Sequence, residues 1–303
     1  MYAGFWDQIK NAFNQSGNSL YKILAINLLV YFILLVSWVF LSLAGQEALY
    51  NAMRSYLMMP AAPEYFITQP WTIFTYMFTH DRFFHILFNM LFLYWFGLLV
   101  MEYLGSRKLA NLYILGGITG GLFYMVVYNI APLFSDHVDR SLMLGASAGV
   151  YAIVVAAATL SPNTSFRLLL LGNVKIKYIA IFYVLVAFAN SAGSNAGGEL
   201  AHLGGAALGY IYVVQLRNGR DLGIPVQVVG QFFEKLFSRK SKVKVTYRKK
   251  SYEYKSEPLS KSRAGEMTSQ EEIDRILDKI AEKGYDSLSK DEKRKLFEFS
   301  NKA

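Results

Sequence analysis

The sequence predicts an all-α polytopic membrane protein, a bundle of six transmembrane helices followed by a small soluble helical hairpin at the C-terminus. Three observations carry this expectation. The 303 residues are 53% hydrophobic and 16% aromatic but only 17% charged, with mean hydropathy +0.25, which is too apolar for an ordinary soluble chain of this length. Uncharged runs recur as far as Leu216, several of them near the roughly 20 residues a spanning helix needs. Beyond them the composition turns charged, with the capping signals of two short helices. The boundaries follow as an interfacial segment over 1–19, the membrane bundle over 20–220, a basic juxtamembrane linker over 221–265 and the hairpin over 266–303.

Met1 to Asp7 has neither a basic start nor an immediate apolar core, so a cleavable signal peptide is not expected. Phe5, Trp6, Ile9 and Phe13 share one face at helical spacing and predict a helix lying on the membrane surface. The first transmembrane helix is the uncharged run Ile23 to Gln46. Glu47 to His80 is a long connection containing Pro60, Pro63 and Pro70, and its aromatic end Trp71 to Tyr76 suits the headgroup zone. Ile86 to Met101 and Leu109 to Ser135 give the second and third helices, divided by Glu102, Arg107 and Lys108. Gly116, Gly117, Gly120 and Gly121 in the third allow close helix approach. The fourth run, Ser141 to Phe166, ends near Pro162. Tyr178 to Gly198 holds the fifth helix and a loose tract from Ser191 to Gly198, and Leu200 to Leu216 is the sixth.

Basic residues fix the expected orientation. Lys10 and Lys22 precede the first helix, Arg107 and Lys108 follow the second, Arg167, Lys175 and Lys177 follow the fourth, and Arg217 and Arg220 follow the sixth. With alternating helices these fall on one side, the cytoplasmic side by the positive-inside rule, and both termini lie there. Val226 to Phe237 is read as a further interfacial helix. The run of cations from Arg239 to Lys250 is a lipid-attracting tract or a solvated linker. Thr268, Ser269, Glu271 and Glu272 open a helix with the stripe Ile273, Ile276, Leu277 and Ile280, ended by Gly284. Ser289 to Glu292 opens a second with Leu296 and Phe297.

Several functions are disfavoured. The net charge of +9 resides mainly outside the apolar runs, which fits membrane lipids as partners rather than nucleic acid. With no cysteine, disulfides, thiolate metal sites and a cysteine nucleophile are excluded. His80 and His85 could suggest a metal pair, but nothing completes it, so neither metal nor cofactor is expected. What remains is hydroxyl chemistry. Helices two, four and six all run inward from the outer face, with His85, Ser147 and His202 at their heads, so the three lie at similar shallow depth. A lone serine in a membrane helix usually bonds its own backbone. One sharing its depth with an intramembrane histidine is a candidate nucleophile. Glu199, three residues before His202, abuts the glycine-rich tract and is expected to face water rather than to serve as a triad acid.

Gly145-Ala146-Ser147, Ala201-His202-Leu203-Gly204-Gly205 and His85-Ile86-Leu87-Phe88-Asn89, on helices four, six and two, resemble the rhomboid intramembrane serine proteases over roughly Leu20 to Arg220. The resemblance implies a serine endopeptidase that cleaves in or beside transmembrane segments of membrane-protein substrates by a Ser-His dyad. Ser147 would be the nucleophile and His202 the base. Tyr151 would pack on the imidazole, and His85 and Asn89 would join the Ser147 N–H in the oxyanion hole. The C-terminal hairpin resembles a module of some bacterial members, which implies a bacterial cytoplasmic membrane. Two departures stand out: Ala148 follows the serine where the family usually has glycine, and Thr72 follows Trp71 where it usually has arginine. The alternative from another class is a catalytically inactive scaffold that binds membrane clients.

Overall fold

A computed structural model describes residues 18–168, 172–237 and 269–300. The expected surface helix around Phe5 to Phe13 and the cationic tract from Arg239 to Lys250 lie outside them. The chain divides into two compact units, Met1–Arg239 and Lys240–Ala303.

The first unit is built on helices α1 (Ser19–Leu43), α2 (Phe83–Leu104), α3 (Ser106–Ile130), α4 (Ser147–Leu160), α5 (Ile176–Asn190) and α6 (Ala196–Arg217). By length and composition α1, α2 and α3 can cross a membrane, while α4 and α5 are apolar but shorter. α1 and α5 turn large apolar side chains outward, among them Leu29, Phe32 and Phe40, and Phe182, Leu185 and Phe188. Exposed apolar surface on that scale is what a lipid-facing helix presents. α4 is the reverse case. It is apolar all round, and Ala148, Gly149, Val150, Ala152, Ile153, Val154, Ala156, Ala157 and Ala158 are buried, as expected of a helix enclosed by others. It packs on α6, α3, α2 and α5. Its 14 residues span only about 21 Å, shorter than α1, α2, α3 and α6.

Small residues make that enclosure possible. A Cβ on Gly205 would run into the Ala148 carbonyl, and one on Gly209 into that of Ala152, so α6 rests on the α4 backbone. The same holds for α3, where added Cβ atoms on Gly116 and Gly120 would meet Ala152 and Ala148. The expected close approach is present. Several boundaries differ from the sequence reading. Glu102, Arg107 and Lys108 do not end helices, because charges at a membrane face need not interrupt the backbone; the break falls at Gly105. α3 stops at Ile130, ahead of Pro132, and Pro132–Arg140 forms 3-10 turns. α4 is shorter than the run Ser141 to Phe166, since Leu142–Met143 and Ser165–Leu168 form strands on either side. α6 begins at Ala196, so Ala196 to Gly198, read as part of a loose tract, are its first turn, with Gly197 set against the Tyr124 ring.

The connection from α1 to α2 is an ordered layer. Short helices Glu47–Ser55, Pro63–Thr68 and Thr72–Thr75 and a 3-10 turn Tyr76–Phe78 bury Met58, Met59, Ala61, Ile73, Tyr76 and Met77. Strand Met59–Pro60 pairs antiparallel with Leu142–Met143, Met59 opposite Met143. The Ala61 N–H donates to the Ser141 carbonyl at 3.0 Å, and Asn129 Nδ2 donates to the Ala61 carbonyl at 2.8 Å. Trp71 Nε1 donates to the Tyr56 carbonyl at 2.8 Å, and the buried Thr72 hydroxyl donates to the Gln69 carbonyl at 2.7 Å. Local hydrogen bonds therefore support this loop at the position where the family usually has arginine. A second antiparallel pair, Ser165–Leu168 with Gly172–Lys175, joins α4 to α5.

After α6, Asp221 accepts hydrogen bonds from the Tyr212 hydroxyl at 3.0 Å and the Gly223 N–H at 2.8 Å, which sets the start of helix α7 (Ile224–Phe237). Ile224, Val228 and Val229 are exposed along it, in keeping with an interfacial helix.

In the second unit, helix α8 (Ser269–Lys283) and helix α9 (Lys290–Ser300) are linked through a 3-10 turn, Tyr285–Ser287. Ile273, Ile276 and Leu288 are buried, with Ile280 and Leu296 against them. Ser289 and Glu292 bond reciprocally: the Glu292 N–H donates to Ser289 Oγ at 3.3 Å and the Ser289 N–H to the Glu292 carboxylate at 2.7 Å, a capping box. Lys279, first, and Ser289 hold the Glu292 carboxyl down at about 2.

Candidate active site

The segment entering α4 is held from three sides. Pairing of Leu142–Met143 with Met59–Pro60 fixes its start. Gly145 has φ +128 and donates its N–H to the Tyr76 carbonyl at 2.9 Å; a side chain there would be strained, and its Cβ would lie 2.9 Å from the His85 ring. The Ala146 N–H then donates to His80 Nε2 at 3.3 Å. Ser147 follows as the first residue of α4, where backbone N–H groups have no intrahelical acceptor and the helix dipole favours negative charge.

The sequence-nominated residues gather around this point. Ser147, Tyr151, His85, Asn89 and His202 line one open cleft of about 1200 Å³, together with Tyr183 of α5. Tyr151 stacks on the His202 imidazole with ring centroids 4.1 Å apart and 8° between planes, and Tyr183 meets Tyr151 edge-on at 5.9 Å. The spot beside Gly145 is 2.9 Å from His85 Nε2 and 3.6 Å from Ser147 Oγ, which brings those two side chains to one place. Asn89 Nδ2 donates to the His85 carbonyl at 2.8 Å, leaving the second N–H of its amide for a guest. No hydrogen bond between Ser147 Oγ and His202 is present among the described residues.

Other groups at the site were not legible as functional. His85 Nδ1 lies 3.6 Å from the Asp81 carboxylate, and the His85 side chain holds the Asp81 carboxyl below its ordinary range. His80, considered in the sequence only as a metal partner for His85, instead supports the backbone before Ser147. Glu199 corrects the sequence reading. It does not face water: its Oε2 lies 3.0 Å from His202 Nδ1, with the two side chains 15% and 14% exposed. The reason is the extra turn at the start of α6, which carries residue 199 into helix and, at i,i+3 spacing, onto the His202 face.

A family model described as the Rhomboid domain matches residues 68–219, half of the chain. The chain belongs to the rhomboid family. A second model, described as a family of unknown function (DUF6576), matches residues 263–302, the region of α8 and α9. Similar curated proteins from Arabidopsis thaliana include RHOMBOID-like protein 12, mitochondrial, 32% identical over 159 residues that cover 49% of this chain and 47% of that protein. Rhomboid-like protein 16, chloroplastic, is 27% identical over 160 residues, covering 49% and 50%. The chain spans about half the length of these relatives, and neither supports the bacterial membrane expected from the sequence. Family and apolar helices together make this rhomboid an integral membrane protein.

The support beneath Ser147 has a pH consequence. Burial, and then the neighbouring His85, push the His80 pKa down to about 3, which keeps Nε2 free to accept the Ala146 N–H. Between pH 6.5 and 3 the unfolded chain binds a proton that the folded chain does not, so this contribution is full above about 6.5 and lost as pH falls. Acidification from 7.5 to 5 should cost about 2 kcal/mol through His80 alone. The unfolding midpoint should drop less in His80→Gln than in wild type over that interval; equal drops would contradict the assignment.

Proposed function

We propose that this rhomboid is an intramembrane serine endopeptidase that cleaves transmembrane protein substrates in or beside their membrane segments. The observation that carries the reading is the Tyr151–His202 stack one helical turn beyond Ser147, at the mouth of a helix that buries most of its residues against its neighbours. Six membrane crossings by α1 to α6, with both termini cytoplasmic, agree with the distribution of cations and open the cleft to the outer face. Ser147 Oγ attacks the scissile carbonyl carbon as its proton passes to His202. The resulting oxyanion is held by the Ser147 N–H with Asn89 and His85. His202 then protonates the leaving amine, and water hydrolyses the acyl-enzyme by the same route. The contact between Ser147 and His202 closes with substrate bound, as catalytic hydrogen bonds often do.

Two experiments bear on this reading. Proteomic comparison of membranes carrying wild type or Ser147→Ala should show membrane proteins that are cut only in the wild type; identical fragment patterns would favour a client-binding scaffold. Asn89→Ala should lower kcat by roughly 100- to 1000-fold with little change in KM, since the donor acts mainly on developing charge. An unchanged kcat would remove Asn89 from the oxyanion hole.

A further inference from the structure

We propose that Glu199 is a positioning residue that turns the Ser147–His202 pair into a three-membered relay; this rests on the serine endopeptidase reading above. The carboxylate and imidazole meet at 3.0 Å through Nδ1, and both side chains are largely withdrawn from solvent, where such a bond is strengthened by the low local dielectric. An ionised carboxylate can only accept, so Nδ1 carries the hydrogen and Nε2 keeps the lone pair that takes the Ser147 proton. Once that proton arrives, the imidazolium sits against a negative charge. Tyr151 fixes the tilt of the ring by stacking at 4.1 Å, and stacking cannot select a tautomer. Glu199 supplies that selection from the first turn of the helix that carries His202. A purely structural role is the competing account, because an acidic residue in a first helical turn also stabilises the helix through its dipole.

The test uses full-length protein labelled with ¹⁵N-histidine, which contains only four histidines, with His202→Gln assigning the resonance. Wild type should show the Nδ1–H tautomer at His202 at pH 8, and Glu199→Gln a mixture containing Nε2–H. Against a transmembrane substrate, Glu199→Gln should lose roughly 10- to 100-fold or more in kcat, with KM and unfolding midpoint unchanged, and Glu199→Asp should recover part of the loss. A lowered unfolding midpoint with wild-type kcat would overturn the proposal in favour of the helix-stabilising role, as would an unchanged tautomer. If wild type neither cleaves nor reacts at Ser147 with a fluorophosphonate, the endopeptidase reading itself fails and the catalytic role of Glu199 with it, whatever the tautomer.

Discussion

Ser147→Ala and His202→Ala should each reduce cleavage of a reconstituted membrane substrate by roughly 10⁴- to 10⁶-fold, and the double variant should lose little more than either alone, because residues that act as a unit are strongly non-additive. The expectation follows from geometry at the head of α4. Ser147 stands where the first helical N–H groups face a cleft shared with His202, and the ring of His202 lies flat on Tyr151 of the same helix. Kinetics in proteoliposomes, with far-UV circular dichroism to check folding, provides the measurement. Substantial activity in either folded single variant would contradict the dyad.

The second large effect concerns packing. Gly205 lies against the α4 backbone at Ala148, where an added Cβ would come within 2.8 Å of the carbonyl carbon and 3.2 Å of Cα, as well as onto the carbonyl oxygen. Backbone cannot move aside as a flexible side chain can, so Gly205→Val must push α6 away from α4. Overpacking of this kind costs about 1–3 kcal/mol. Because α6 carries His202 and α4 carries Ser147, the displacement should also lower kcat in the folded fraction by roughly 100-fold. Gly230→Ala, where added volume meets nothing within 4 Å, should leave kcat unchanged and should not destabilise the protein, since alanine is the better residue inside helix α7. Wild-type kcat in Gly205→Val would show that the α4–α6 contact does not set the site.

That the candidate residues gather in one cleft was legible because their groups are chemically out of place. A hydroxyl and two imidazoles in or beside uncharged runs stand out against the apolar background, and the three side chains line one cleft. Tyr151 and Asn89 came from the family resemblance, and their i,i+4 spacing only places them on the faces of Ser147 and His85. The connection from α1 to α2 was legible only as a long loop, since what orders it is backbone pairing across long sequence separations, Met59 with Met143 and Tyr76 with Gly145, which leaves no local pattern. His80 was hidden for the same reason: its partner is a main-chain N–H. Glu199 was misread because Gly197 and Gly198 look like a loop, whereas packing on Tyr124 recruits them into helix and carries the carboxylate to His202. Charges at Glu102, Arg107 and Lys108 located the turn between α2 and α3 to within a few residues, but a membrane-face charge marks a position without ending a helix.

The most direct test of the account is covalent labelling of the purified protein with a fluorophosphonate, mapped by peptide mass spectrometry. The account predicts modification at Ser147 in wild type, and its loss in His202→Ala while the protein remains folded. Absence of the Ser147 adduct in folded wild type, or labelling that persists at Ser147 without His202, would contradict it.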